Sequence, residues 1–296
     1  IIDTLSDKVF EEANAGIDSV LSQITGYTLA GNTEWLLLAS TIESGTGNSL
    51  ANTILGNSAG NTLNGGLGND SLIGGVGDDY YIVDSLSDMV VETLGLNSTT
   101  ASLNGGIDSV IANVSGYTLS GNIEWLALAS TIGAGTGNSL ANTLLGNSVA
   151  NTLDGGAGND SIDGGAGNDW LNGGLGNDTL IGGLGNDFYL VDSANDMLVE
   201  SSTLGGIDSV SSTVSYTLGD NLEALILSGT AALGTGNSLA NTLLGNSLAN
   251  TLDGGDGNDS LAGLVGNDLY IVDSLLDKVF ESADAGTDSI LAQIND

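Results

Sequence analysis

The chain has 296 residues, 37 of them acidic and only two basic, for a formal charge of −35, and it contains 47 Gly but no Pro, Cys or His. Two lysines cannot supply the basic face that releases counterions from phosphates, so nucleic acid is excluded as a partner. Histidine dyads, thiol nucleophiles, disulfides and Cys/His zinc sites are absent by composition, so no catalytic residue is assigned and the chain is not read as an enzyme. No apolar run approaches the roughly 18 residues of a membrane span, so no membrane insertion is expected. Disorder is at odds with 41% hydrophobic and 13% charged residues. The acids are 28 Asp and 9 Glu. Asp beside Gly and Asn suits turns and oxygen-ligand sites, and a hard divalent cation would neutralise such a chain as it folds.

The first of several similar units spans residues 1–80. After G-I-D-S-V at Gly16 comes YTLAGNTEWLLLA from Tyr27, where alternation points Leu36 and Leu38 inward and Trp35 outward. Nine-residue repeats follow: GNSLANTIL from Gly47, GNSAGNTLN from Gly56, GGLGNDSLI from Gly65 and GGVGDDYYI from Gly74. The second unit, 81–188, opens with VDSLSDMVV from Val83 and passes a Ser/Thr/Asn-rich insertion near Leu94. It then repeats GIDSV at Gly106 and YTLSGNIEWLALA at Tyr117, with nonapeptides from Gly137, Gly146, Gly155, Gly164, Gly173 and Gly182. The third, 189–269, carries VDSANDMLV from Val191, GIDSV at Gly206 and YTL at Tyr216. Its nonapeptides start at Gly236, Gly245, Gly254 and Gly263, the last with Leu264 at a glycine position. A fourth unit begins at 270, with VDSLLDKVF from Val272 and GTDSI from Gly286. Tyr27, Tyr117 and Tyr216 read as packing residues.

Within the nonapeptides the sixth residue is Asp in the G-G-x-G-x-D copies and Asn in the G-N-S copies: Asn52, Asn61, Asn142, Asn151, Asn241 and Asn250. The eighth is large and apolar: Leu72, Tyr81, Ile162, Leu171, Leu180, Tyr189, Leu261 and Tyr270. One nonapeptide, a Gly-rich turn and three residues of strand, carries the chain through half a coil, and two complete a coil of 18. Like turns then stack one strand spacing apart, about 4.8 Å. Eighth-position side chains fill a narrow core that no single repeat buries alone. The fold expected is all-β, one continuous solenoid with essentially no helix. Asp160 stacks on Asp178 and Asp169 on Asp187, with Asp178/Asp196, Asp70/Asp88 and Asp259/Asp277 as further pairs, and such stacks repel unless a cation lies between them. An Asn beneath an Asp, as in Asn151/Asp169, forms a neutral amide ladder or a weaker site.

These residues resemble the RTX, or haemolysin-type, calcium-binding nonapeptide repeats of secreted bacterial proteins, and the linking segments resemble those of large multi-unit members. The resemblance implies a right-handed parallel β-roll, Ca2+ held in the Gly/Asp turns, and folding after export, outside the cell or at its surface. The ligands it implies are Asp70, Asp79, Asp88, Asp160, Asp169, Asp178, Asp187, Asp196, Asp259, Asp268 and Asp277. With them go the backbone carbonyls of Gly155, Ala157, Gly164, Ala166, Gly173, Leu175, Gly182 and Leu184.

Two classes of function follow. One is structural: a calcium-stabilised surface-layer, filament or adhesin segment. The other is a carbohydrate-binding or secretion-assisting module of a larger exported enzyme. Trp35 and Trp125 occupy one position in successive units and offer a lateral contact or a platform for an extracellular glycan. Residues 1–26 and 271–296 align at an offset of 270 with 16 identities. Since 270 is 15 × 18, three units are expected to close on a whole number of coils, and end-to-end or lateral self-association is expected with it.

Overall fold

The computed structural model describes residues 1–4, 6–13, 16–92, 105–200, 205–282 and 286–294. The Ser/Thr/Asn-rich insertion near Leu94 lies outside them. Among the described residues there are short strands and no helix, and the strands pair in parallel. The chain divides into two compact units, Ile1–Leu144 and Leu145–Asp296, and each is a parallel β-solenoid in which successive strands alternate between two stacks.

In the first unit one sheet stacks Ser19–Ser22, Trp35–Leu38, Thr53–Leu55, Ser71–Ile73 and Met89–Val91. The other stacks Tyr27–Thr28, Ser44–Thr46, Thr62–Asn64, Tyr80–Val83, Ser109–Ala112 and Trp125–Leu128. In the second unit the nonapeptide strands repeat this order, Thr152 pairing with Trp170 and Ser161 with Thr179. A three-residue strand turns only its central side chain inward, so each half coil contributes one core residue. The eight residues Leu72, Tyr81, Ile162, Leu171, Leu180, Tyr189, Leu261 and Tyr270 are all at 0% exposure. Leu36 and Leu38 are buried and Trp35 is exposed, as their alternation dictates. Facing them, the strand Ser44–Thr46 has Gly45 at its centre, because a Cβ there would run into the ends of Leu36 and Leu38.

The coils differ in length. The step from Ser19 to its partner Trp35 is short, and the steps that follow, to Thr53 and then to Ser71, are longer and equal to each other. The chain then crosses to Tyr80 on the other sheet, whose pairing with Ser109 spans the longest step of all. Ser19 thus reaches its counterpart Ser109 after four and a half coils, on the opposite sheet. In the second unit Ser209 reaches Ser289 in the same way, through a short step to Ala224, regular ones to Thr242 and Ser260, a crossing to Leu269 and a lengthened last step. The coils therefore do not all span 18 residues, and the arithmetic of 15 × 18 loses its premise. The Y-T-L coil lacks a nonapeptide turn and is short, whereas the coil leading into G-x-D-S-V contains a linker and is long.

Backbone approach explains the glycines. Gly174, second in its turn, has φ +81°, and a Cβ on it would meet the Gly156 carbonyl of the preceding coil. Leu264 occupies the equivalent place with φ +76°, a conformation that costs a non-glycine residue about 1–2 kcal/mol. Replacing it with glycine removes that strain against a backbone entropy cost of about 0.5–1 kcal/mol. Leu264→Gly is accordingly expected to raise stability by about 0.5–1 kcal/mol. Denaturant midpoints in calcium read this directly, and a lower midpoint would mean that the leucine packs to greater benefit than its backbone strain costs.

Candidate metal centre

In the G-G-x-G-x-D turns the two oxygens of each aspartate have separate roles. Oδ1 of Asp178 accepts the Asp160 N–H at 2.8 Å, and Oδ1 of Asp187 accepts the Asp169 N–H at 2.7 Å, so each carboxylate holds the preceding coil. The same bond joins Asp70 to Asn52, Asp79 to Asn61, Asp259 to Asn241 and Asp268 to Asn250. Oδ2 is left over. In Asp70, Asp79, Asp169, Asp178, Asp187, Asp259 and Asp268 it is buried and accepts no hydrogen bond. It lies over the first glycine of its own turn: a Cβ on Gly173 would collide with Asp178 Oδ2, and one on Gly155 would meet Asp160 Oδ2 and the Gly173 carbonyl oxygen together. Carboxylate and carbonyl oxygens that converge where no donor reaches them fit a hard cation. Lys8 and Lys278 are both exposed and stand outside the turns.

The other expected ligands divide. The carbonyls of Leu175 and Leu184 accept the N–H groups of Gly158 and Gly167 at 2.8 and 2.7 Å, within the ladder. Those of Gly164 and Gly173 face the first glycine of the preceding coil, while Gly155, Ala157, Ala166 and Gly182 stand in the same turns. Asp88, Asp196 and Asp277 continue the columns by accepting the N–H groups of Asp70, Asp178 and Asp259 at 2.9–3.0 Å. Their second oxygens, however, accept amides of their own turns: Asp84 and Ser85, Asp192 and Ser193, Asp273 and Ser274. Both oxygens of these three carboxylates therefore have amide partners.

The G-N-S turns are closed by side-chain amides. Asn52 Oδ1 accepts the Asn48 N–H at 2.6 Å, and Asn48 Nδ2 donates to the Ala30 and Thr33 carbonyls of the preceding coil at 2.8 and 2.7 Å. Asn138 and Asn237 repeat the arrangement on Ser120 and Ile123 and on Gly219 and Leu222. A side-chain amide here bridges two carbonyls with its two N–H donors.

Sequence reasoning missed the last rung of each column. The N–H of Asp79 donates to Asp108 of G-I-D-S-V at 2.8 Å, that of Asp187 to Asp208 at 2.7 Å, and that of Asp268 to Asp288 at 2.9 Å. The N–H groups of Asp108 and Asp208 donate in turn to Glu124 and Glu223 at 2.9 and 2.8 Å. A glutamate joins each cluster: Asp79, Glu92 and Asp108; Asp187, Glu200 and Asp208; and Asp268, Glu281 and Asp288 each bring three carboxylate oxygens within 4.8 Å of one another. Tyr81, Tyr189 and Tyr270, which take the place of leucine at the eighth position, donate their hydroxyls to those glutamates. The signal was present, since the tyrosine and its glutamate keep the same separation in every unit.

Burial, reinforced by neighbouring carboxylates, pushes Asp70, Asp79, Asp178, Asp187 and Asp259 up to about 6, and Asp108 and Glu200 up to about 7. Asp169 and Asp208 rise for the same first cause.

Parallel coils closed by Gly/Asp turns, with carboxylate oxygens stacked in columns, define a β-roll built to bind calcium. The RTX calcium-binding nonapeptide repeat family matches the chain in four copies, over residues 46–88, 136–171, 164–198 and 235–270, and the chain carries these repeats in each of its three blocks. A comparison with curated proteins gives no match. The matched stretches end before Glu92, Glu200 and Glu281.

The raised carboxyls fix the sign of a pH effect. A group whose folded value lies above its unfolded value near 3.8 supports the metal-free fold while protonated. That support is full below about pH 4 and is lost as pH rises through 6–7. A calcium ion bound there would replace the proton, and stability would then rise over the same window. Thermal melts at about pH 4.5 and 7.5 are expected to show the higher midpoint at the lower pH in chelator and at the higher pH in calcium. Identical trends in both would contradict the assignment.

Proposed function

We propose that the chain is an extracellular calcium-stabilised structural or adhesive repeat, with no catalysis of its own, that folds when calcium reaches it after secretion. The observation that carries this reading is the row of buried carboxylate oxygens without donors in a chain of net charge −35. An ionised group buried without a partner costs several kcal/mol, and a core one side chain wide per half coil does not offset many of them. Without cations the coils oppose their own compaction. Extracellular calcium modules bind at about 10⁻⁴–10⁻³ M, so the chain stays unfolded in the cytosol and folds on export. A calcium titration followed by far-ultraviolet circular dichroism is expected to show a cooperative gain of β signal in that range, reversed by chelation. A signal and melting temperature indifferent to chelator would refute the proposal.

End-to-end or lateral association belongs to the same reading. Light scattering in calcium measures it. The second reading, a carbohydrate-binding or secretion-assisting module, draws on Trp35 and Trp125, which are 38% and 42% exposed at equivalent positions. Indole fluorescence that shifts on addition of polysaccharide would favour it.

A further inference from the structure

We infer that each repeat ends in a second class of divalent-cation site, which borrows one aspartate from the last nonapeptide turn and completes it with residues outside the nonapeptides: a three-carboxylate cage made by Asp79, Glu92 and Asp108 in the first unit and by Asp187, Glu200 and Asp208 in the second. Asp268, Glu281 and Asp288 form a more open copy. The identity of the ion rests on the calcium reading above, whereas the site rests on the glutamates and on Asp108, Asp208 and Asp288, which that reading does not use.

The distances fit the ion. Two oxygens on opposite sides of a calcium at about 2.4 Å lie about 4.8 Å apart, and the three ligand atoms of each cage fall within 4.8 Å of one another. Burial keeps water from most of these carboxylates. Asp79, Asp108, Asp187 and Asp208 are 1–2% exposed and Glu200 is 7% exposed. Asp79 Oδ2, Asp187 Oδ2 and Glu200 Oε2 accept no hydrogen bond.

Every cage carboxylate is nevertheless held by one oxygen. Asp187 Oδ1 takes the Asp169 N–H, Asp208 Oδ1 takes the Asp187 N–H, and Glu200 Oε1 takes the Tyr189 hydroxyl. A side chain fixed through one oxygen presents the other at little entropic cost, which is the preorganisation a metal ligand needs. The room is kept by Gly182, where a Cβ would run into Tyr189 Oη, Glu200 Oε1 and Asp187 Oδ2 at once. Three anions this close, with no lysine near them, are mutually repulsive until a cation joins them.

Recurrence supplies an independent argument. The spacing from the nonapeptide aspartate to the glutamate is 13 in all three units, while that from the glutamate to the next aspartate is 16, 8 and 7. The cage is thus rebuilt whatever length of chain separates its last two ligands. An ion there ties the end of one block of coils to the start of the next unit, a task that no nonapeptide ion performs. Calcium suits it better than magnesium, which demands near-ideal octahedral geometry and keeps most of its water.

The test is a count of bound calcium on the whole chain by equilibrium dialysis, comparing the unaltered protein with the double variant Glu92→Gln/Glu200→Gln. Two fewer ions per chain, at a calcium concentration that saturates the unaltered protein and with the calcium-induced β signal retained, is the expected result. An unchanged count and affinity overturns the inference while leaving the nonapeptide reading intact, and no calcium binding by the unaltered protein overturns both. Should the variant fail to gain β structure, crystals of the unaltered protein grown with terbium decide the matter by anomalous diffraction. A peak about 2.4 Å from the Glu200 and Asp208 carboxylates supports the cage. Peaks in the turns from Gly155 to Asp187 with none at Glu200 overturn it.

Discussion

A buried carboxylate with one oxygen on a backbone amide and the other facing further oxygens is the interaction on which this structure depends. The amide bond fixes the stacking register, because Asp178 can hold Asp160 only if the chain returns after one full coil. The free oxygen fixes the chemistry, because nothing in a chain with two exposed lysines neutralises it from within. Glycines crowd the turn because backbone must approach backbone there, and the core stays narrow because a strand between two such turns has one inward residue. Local geometry, packing and charge thus follow from a single repeated contact.

Two kinds of turn divide the work. In each block the G-N-S turns come first and are closed by asparagine amides, whereas the aspartate turns that follow leave buried carboxylate oxygens without donors. The boundary is direct: the N–H groups of Asn52 and Asn61 are the donors that hold Asp70 and Asp79. Every stretch with donor-free carboxylates therefore begins on a coil closed by its own hydrogen bonds, and in a linear repeat such a neighbour lowers the cost of adding the next layer.

The regular part of this arrangement is legible in the residues. Phase alone places Asp160, Asp169, Asp178 and Asp187 in columns and Leu171 and Leu180 in the core. Irregular parts are harder for a physical reason. Glu92 and Asp108 meet across twice the length of chain that separates Glu200 from Asp208, and a site whose ligand spacing varies leaves no period to find. Asp88 shares the sixth-position pattern of Asp70, yet the amides of Asp84 and Ser85 replace the free space beside it. The half coil per repeat was hidden because the coil from Ser19 to Trp35 carries no nonapeptide signature.

That half coil also sets which way the molecule faces. Trp35 sits on one sheet of the first unit and Trp125 on the other, and each points away from the core the two sheets share. Identical features therefore emerge on alternate flanks rather than along one side. A binding partner that grips one indole finds the next behind the molecule, out of reach of the same surface. A single flat surface therefore meets one of the two indoles and not both.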